Sequence, residues 1–145
     1  MNNIKTYLAG CMLKHLLDGQ YEKATEWRKY ATEKLADAGI KVFDPTINSI
    51  EQFKFPKEYI NGVILQNYTY LKKCDMLLLN LDSFEDSIGS IGEITLAWEH
   101  KKPVIAFGKC LKWTNSPHFQ SMITLTLPDV ESACDYIILM YNQKV

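Results

Sequence analysis

The sequence predicts an α/β fold with one doubly wound, open parallel sheet of five strands, Rossmann-like or flavodoxin-like, and helices on both faces. Two observations lead to this prediction. The hydrophobic period switches regularly between two and about 3.6, as in strand–helix–strand units joined by right-handed crossovers. The 145 residues also suit one core, and no internal repeat divides them. A single domain over residues 1–145 is therefore expected.

The first third of the chain predicts two strands separated by a helix. Ile4 to Ala9 alternates and stops at Gly10, which predicts the first strand. Apolar residues then recur at helical spacing, at Ala24, Trp27, Ala31 and Leu35. Gly39 is expected to end this helix in a left-handed conformation, and Ile40 to Phe43 predicts the second strand.

The middle third predicts a long loop, a helix and a buried strand. Thr46 to Lys57 follows no period, and a loop of this length in a compact domain is a candidate lid. Glu58 to Cys74 is predicted to be helical and leads into a strand from Asp75 to Leu81. The residues on one face of this helix are Ile60, Val63, Asn67, Tyr70 and Leu71.

The last third predicts two more strands and two more helices. Asp82 to Ser90 is expected to be a loop that opens a helix ending before Pro103. Apolar positions of that helix are Ile91, Ile94, Ala97 and Trp98. Strands are predicted at Val104 to Phe107 and Ile123 to Leu127, separated by the loop Lys109 to Gln120. A final helix begins after Pro128-Asp129, with Val130, Ala133, Ile137 and Tyr141 facing inward.

Composition excludes several classes of protein. The 16 basic and 17 acidic side chains give a net charge of −1, which disfavours binding to nucleic acid or to an anionic membrane. No apolar run approaches the ~20 residues of a membrane span, and no signal peptide pattern is present, so a cytoplasmic location is expected. The four cysteines lack zinc-site spacing and are interpreted as free thiols.

The most informative segment follows the predicted third strand. In such sheets, ligands bind at the carboxyl ends of the strands. The segment 86–93 places glycines and hydroxyl side chains before a helix, with Glu93 in the first turn. One interpretation of Glu93 is a capping box with Ser90. The other is a nucleophile that attacks a sugar carbon to form a covalent intermediate, and the spacing leaves both open.

A wider set of motifs resembles the nucleoside 2-deoxyribosyltransferase family, which includes related deoxynucleoside 5′-monophosphate N-glycosidases. The motifs occur in consistent order over about residues 4–123. They are Tyr7-Leu8-Ala9-Gly10, Trp27-Arg28, Asp44-Pro45, Cys74-Asp75, Ser87-Ile-Gly-Ser-Ile-Gly-Glu93 and Lys102-Pro103-Val104.

The resemblance implies an enzyme that uses no cofactor or metal and works as a homo-oligomer with a shared active site. Glu93 would attack C1′ of a 2′-deoxynucleoside and expel the base, and the deoxyribosyl group would pass to another base or to water. The expected partners are a deoxynucleoside or its monophosphate and a free nucleobase. Two alternatives stay open: a deoxynucleoside 5′-monophosphate N-glycosidase, and a non-catalytic nucleotide-sensing domain.

Further site residues come from the loops and from the resemblance. Tyr7 matches a tyrosine that orients the nucleophile, although core packing is the alternative. Gly10, Asp44, Asp86 and Gly89 lie in the loops where substrate is expected to bind, and the glycines allow close approach of the ligand.

The Ser87 position divides the family. Transferases carry an aspartate there that contacts the 5′ end of the sugar, whereas the monophosphate N-glycosidases use hydroxyl groups that receive phosphate. Those relatives also place a serine and an arginine after the first strand, where this chain has Cys11 and Leu13.

Asn67 is a second departure, since the family usually has an aspartate there. An amide can hydrogen-bond the base but cannot be a general acid, so Asp86 or a water would have to serve. A solvent-facing Asn67 is the alternative.

The loop after the fourth strand is expected to reach a neighbouring subunit's site. Met122 would pack beside the ligand there, and Gln120 would meet the 5′ end of the sugar. His118, with Lys109 and Lys112, could form a positive rim, or be an ordinary surface histidine. In addition, Trp113 and Phe53 are candidates either for stacking on the base or for the subunit interface.

Overall fold

The predicted α/β fold class is confirmed by a computed structural model that describes residues 3–46 and 56–142. The strands are β1 (Lys5–Ala9), β2 (Lys41–Phe43), β3 (Met76–Asn80), β4 (Val104–Phe107) and β5 (Leu125–Leu127). They form one parallel sheet in the order β2-β1-β3-β4-β5. The order reverses direction between β1 and β3, which is the switch point where such sheets bind ligands.

Six α-helices and one 3-10 turn occur in the described residues. The helices are α1 (Leu13–Leu17), α2 (Tyr21–Asp37), α3 (Lys57–Lys73), α4 (Ile88–Glu99), α5 (Pro117–Ser121) and α6 (Val130–Tyr141), and the 3-10 turn is Phe84–Asp86. The sequence did not predict α1, α5 or the 3-10 turn, because so few residues show no measurable period.

Both faces of the sheet are covered, because successive strand residues point to opposite sides. Tyr7 and Ala9 belong to the hydrophobic cluster that includes Ile94 of α4. Leu8 belongs to the opposite cluster, which includes Ile137 of α6. This arrangement makes β3 buried along its whole length and explains its continuous apolar sequence.

The start of α4 differs from the prediction. The helix begins at Ile88, and Ser87 is its N-cap, with Oγ accepting a hydrogen bond from the Ser90 backbone N–H at 3.3 Å. The capping-box interpretation of Ser90 and Glu93 is therefore wrong, because the cap lies three residues earlier. Glu93 is instead placed in the second turn of the helix.

Three smaller expectations have clear outcomes. Gly39 has φ of +80°, as predicted for the end of α2. The four cysteines are buried free thiols. None of the helices found within residues 3–46 and 56–142 is long and apolar enough to span a membrane.

Phe53 and most of the candidate lid lie outside the described residues.

Candidate active site

A cavity of about 310 Å³ opens at the carboxyl end of β1, beside the switch point of the sheet. Three elements form most of its wall: the end of β1, the face of α3 and the first two turns of α4. Lining residues predicted from the sequence are Tyr7, Gly10, Asn67, Asp86, Ser87, Gly89 and Glu93. The structure therefore brings together residues that are up to 86 positions apart in sequence, as counted from Tyr7 to Glu93.

Glu93 lines the cavity with one carboxylate oxygen shielded from solvent. Among the described residues, Oε2 of Glu93 has no hydrogen-bond partner. Burial raises the pKa of the Glu93 carboxyl from 4.5 to about 7, although a hydrogen bond from Tyr7 and the positive charge of Arg28 lower it. A carboxylate with this pKa is about half ionised near neutral pH.

Tyr7 is packed in the core, one of its two interpretations, and its hydroxyl lies beside Glu93. Its side chain is buried, and its ring stacks on Phe43 with 5.4 Å between centroids, while Phe43 stacks on Tyr70 at 4.4 Å. Burial, followed by the charge of Glu93, raises the pKa of the Tyr7 hydroxyl. The phenol is therefore held in place by packing and stays protonated as a hydrogen-bond donor.

Arg28 is a site residue whose role sequence reasoning missed. Its buried guanidinium donates hydrogen bonds to the backbone oxygens of Ala24 at 3.0 Å, Leu8 at 3.1 Å and Gly10 at 3.0 Å. It also forms an ion pair with Asp44 at 3.1 Å. These bonds tie the ends of β1 and β2 together beneath the cavity. The sequence signal for this role was Arg28 itself, a positively charged residue one helical turn after Ala24 on an otherwise apolar helix face.

Asp44 does not line the cavity, although its neighbours Pro45 and Thr46 do. In addition to the Arg28 ion pair, Oδ1 of Asp44 accepts hydrogen bonds from the backbone N–H of Thr46 at 2.9 Å and from its hydroxyl at 2.7 Å. The carboxylate is thus used to fix the turn after β2.

The Asp86 and Ser87 side chains already have protein partners. Asp86 lies at the exposed rim and forms an ion pair with Lys14 at 2.7 Å. The Ser87 hydroxyl caps α4 and donates a hydrogen bond to Oγ of Ser90 at 2.7 Å. Gly89 is open to solvent, and a Cβ at this position would meet only Oε1 of Glu93, at 3.9 Å.

Gly10 has no such space. A Cβ there would lie 3.0 Å from the Trp27 ring and 3.2 Å from the Cβ of Asn80. The chain can leave β1 between these side chains only because residue 10 is a glycine.

The face of α3 contributes a residue that the sequence did not single out. Tyr68 lines the cavity beside Asn67. The apolar stripe predicted for this helix did not include Tyr68, although Ile60 and Asn67 of that stripe line the same cavity. The only sequence signal was Gly92, a glycine inside a helix, which indicates a close approach by another group.

The three site residues predicted in the loop after β4 lie outside the Glu93 cavity. His118 and Met122 line a second cavity of about 380 Å³ together with Lys112, Trp113, Ser116 and Phe119. The Gln120 amide donates a hydrogen bond to the Thr114 carbonyl and lines neither of the two cavities. Trp113 packs edge-on against Phe84 and Phe119. Within one chain, these residues are not brought to Glu93.

The described residues contain no group of three or more His, Cys, Asp or Glu side chains arranged to hold a metal ion. The cavity is lined by the Glu93 carboxylate together with the phenols of Tyr7 and Tyr68.

The chain is similar to a known protein family and to several solved structures. The nucleoside 2-deoxyribosyltransferase family model matches residues 6–121. A 2-deoxyribosyltransferase from the psychrotolerant bacterium Bacillus psychrosaccharolyticus has a similar structure, with 21% identity, a TM-score of 0.70 and 91% of each chain covered. A search of curated protein sequences gave no significant match.

Two further structures are similar over nearly their full lengths. A conserved protein from Enterococcus faecalis V583 is 16% identical, with a TM-score of 0.64 and coverage of 93% of this chain and 97% of that one. A CMP N-glycosidase from Clostridium botulinum is 13% identical, with a TM-score of 0.53 and coverage of 93% and 98%. At these identities the likeness establishes a shared fold.

Proposed function

The chain belongs to the nucleoside 2-deoxyribosyltransferase family, and we propose that it cleaves the N-glycosidic bond of 2′-deoxynucleosides with Glu93 as nucleophile. The observation that carries the proposal is the position of the Glu93 carboxylate, which lines the cavity with Oε1 beside the solvent-exposed Gly89.

The reaction would follow two displacements at one carbon. A carboxylate oxygen of Glu93 forms a bond to C1′, the C1′–N bond breaks, and its electron pair moves onto the base. A second base or a water then attacks C1′ and releases Glu93, with net retention of configuration. Arg28 and Tyr7 favour the ionised carboxylate that the first step requires.

The substrate-binding roles belong to the same proposal. Asn67 would hydrogen-bond the base, while Gly10, Asp86, Ser87 and Gly89 would surround the sugar. The loop that carries His118, Gln120 and Met122 would act in the cavity of a second copy, in a homo-oligomer with shared active sites. Exposed apolar side chains at the cavity mouth, Ile88 at 87% and Leu13 at 51%, support such an interface.

The unphosphorylated nucleoside is favoured by the positions of the cations. Arg28 is the one cation among the described lining residues, and four protein acceptors engage its guanidinium. Lys14 is held at the rim by Asp86. A deoxynucleoside 5′-monophosphate N-glycosidase, the second candidate, is supported by the Ser87 hydroxyl at the start of α4, but would need a further cation for the phosphate.

The test is base release by purified protein. Each of the four deoxynucleosides and four deoxynucleoside monophosphates is incubated with and without free adenine, and products are separated by chromatography. We expect base release, or exchange when adenine is present. The Glu93→Gln variant keeps the shape of the side chain and should lower the rate at least ~10³-fold.

Controls separate the alternatives. Intact mass after acid quench should show one added deoxyribosyl group on the wild type and none on the variant, whose folding is checked by thermal melting. Unchanged release by Glu93→Gln would refute the role of Glu93. Saturable nucleotide binding without base release by the wild type would instead indicate a nucleotide-sensing domain.

A further inference from the structure

Tyr68 is the second phenol in the Glu93 cavity, and it comes from a different element than Tyr7. Tyr7 belongs to β1 and is buried. Tyr68 belongs to α3, is half-buried and lines the cavity beside Asn67. The negative charge of Glu93 raises the pKa of both hydroxyls, so both phenols lie within its electrostatic range.

The Tyr68 hydroxyl lies directly against α4 at Gly92. A Cβ on Gly92 would be 2.3 Å from Oη of Tyr68 and 3.5 Å from its Cζ. Any side chain at position 92 would displace the phenol. The space left by Gly92, the residue before Glu93, therefore lets the Tyr68 hydroxyl pack against α4 at the wall where the reaction is proposed to occur.

Among the described residues, the Tyr68 hydroxyl has no hydrogen-bond acceptor. Burial first, and then the charge of Glu93, raises the pKa of Tyr68, so the phenol is neutral and carries its proton near neutral pH. It makes no hydrogen bond to any residue in the ranges that the structure describes, and the hydrogen bond that reaches Glu93 comes from Tyr7. Its proton is available to a ligand.

The proposed reaction needs such a donor. Negative charge develops on the base as the glycosidic bond breaks, and a fixed donor stabilises that charge. Asn67 can donate a hydrogen bond but cannot give up a proton. Asp86 is paired with Lys14 at the exposed rim. The Tyr68 hydroxyl is the remaining group with an acidic proton on the α3 wall.

On the basis of the proposed function, we propose that Tyr68 is a further catalytic residue, whose hydroxyl hydrogen-bonds the base as it departs. Glu93 forms the bond to C1′ while the C1′–N bond breaks and its electron pair passes to the base. The base leaves as an anion stabilised by Oη of Tyr68, and takes its proton from water after release. Tyr68 stays protonated throughout, so its raised pKa is no obstacle.

The test compares Tyr68→Phe with Tyr21→Phe, the same change on an exposed side chain of α2 outside the cavity lining. Both variants are assayed on the fastest substrate and on its analogue with a halogenated base, whose anion is more stable. Tyr68→Phe should lower kcat about 100-fold on the parent substrate and less than about tenfold on the analogue. Tyr21→Phe should leave kcat on both substrates within about twofold of wild type.

A second variant moves the hydroxyl without removing it. Gly92→Ala should displace Tyr68 and reproduce its selective loss on the parent substrate. Gly62→Ala is the matched control, because a Cβ at Gly62 of α3 would meet nothing within 4 Å.

The outcomes distinguish the two proposals. An equal decrease in kcat on both substrates would show that Tyr68 acts on folding or on Glu93. It would overturn the proposal that Tyr68 hydrogen-bonds the base. Wild-type rates for Tyr68→Phe, with Glu93→Gln inactive, would overturn the role of Tyr68 alone. Absence of base release by the wild type, or full release by Glu93→Gln, would overturn the proposed function and this proposal with it.

Discussion

The carboxyl groups near the starts of α4 and α6 show opposite behaviour. Asp129 is the N-cap of α6, and its Oδ1 accepts hydrogen bonds from the backbone N–H and the hydroxyl of Ser132, both at 2.8 Å. These bonds lower the pKa of Asp129. Glu93 has one oxygen without a described partner, and burial raises its pKa to about 7.

The contrast shows how one chemical group acquires two roles. The hydrogen bonds of Asp129 satisfy the helix terminus, so its charge stabilises the fold. In α4 that task belongs to Ser87, so the Glu93 carboxylate takes no part in the helix cap. The residue that caps the helix thus determines whether a nearby carboxylate is engaged by the backbone.

Among the substitutions that test this comparison, those of Arg28 should have the largest effect on stability and on the pKa of Glu93. Arg28→Met removes the charge opposite Asp44 and leaves three buried carbonyls without their donor. We expect the free energy of unfolding in urea to fall by about 3 kcal/mol. The midpoint of the rise of kcat/KM with pH should move upward from about 7, because the charge that lowers the pKa of Glu93 is lost.

Arg28→Lys tests the charge apart from the hydrogen bonds, because lysine keeps the positive charge but lacks the guanidinium group. It should also destabilise the domain, because an ammonium group cannot reproduce the fork of the guanidinium. The pH midpoint should stay near that of the wild type. A midpoint that rises equally in both variants would contradict an electrostatic role for Arg28.

Glu93→Gln should have an intermediate effect on stability that depends on pH. The pKa of Glu93 in the folded state is raised, so its contribution to stability is greatest at low pH and falls as pH rises from 4.5 to about 7. Glutamine does not titrate. The variant should therefore gain about 2 kcal/mol over the wild type between pH 5 and pH 8, as measured by urea unfolding. A constant difference over that range would mean that Glu93 is not desolvated in the folded protein.

Asp129→Ala should have the smallest effect and the opposite pH dependence. Its folded-state pKa is lowered, so its contribution is present at neutral pH and is lost as pH falls through that pKa. Thermal melting at pH 7 should show a decrease of a few degrees, and the deficit should shrink in acid. Base release per folded molecule should match the wild type. A loss of activity would show that the two helix termini are coupled.

Most of the fold could be predicted from sequence, because its long elements bury regular stripes. The strand after Cys74 and the stripe from Ala24 to Leu35 are buried as predicted. The elements that the sequence did not predict are short. Helix α1 has five residues, too few to reveal a period. The start of α4 was misplaced because two serines three residues apart, Ser87 and Ser90, both fit the capping pattern, and only the backbone shows which one caps.

The site was harder to predict, because its chemistry depends on contacts distant in sequence. Resemblance identified Glu93 and Tyr7, whose electrostatic interaction is present in the structure. Asp44 was expected to bind substrate because of its place after β2, but Arg28 and Thr46 engage its carboxylate. Tyr68 had no periodic signal, since its position depends on the space left by Gly92 on another helix.

The cap at Ser87 also constrains how the length of this chain can change during evolution. Glu93 follows Ser87 by six positions on one continuous helix. One inserted or deleted residue between them would turn the carboxylate by about 100° around the helix axis, away from Tyr7. Insertions and deletions should therefore be selected against between Ser87 and Glu93.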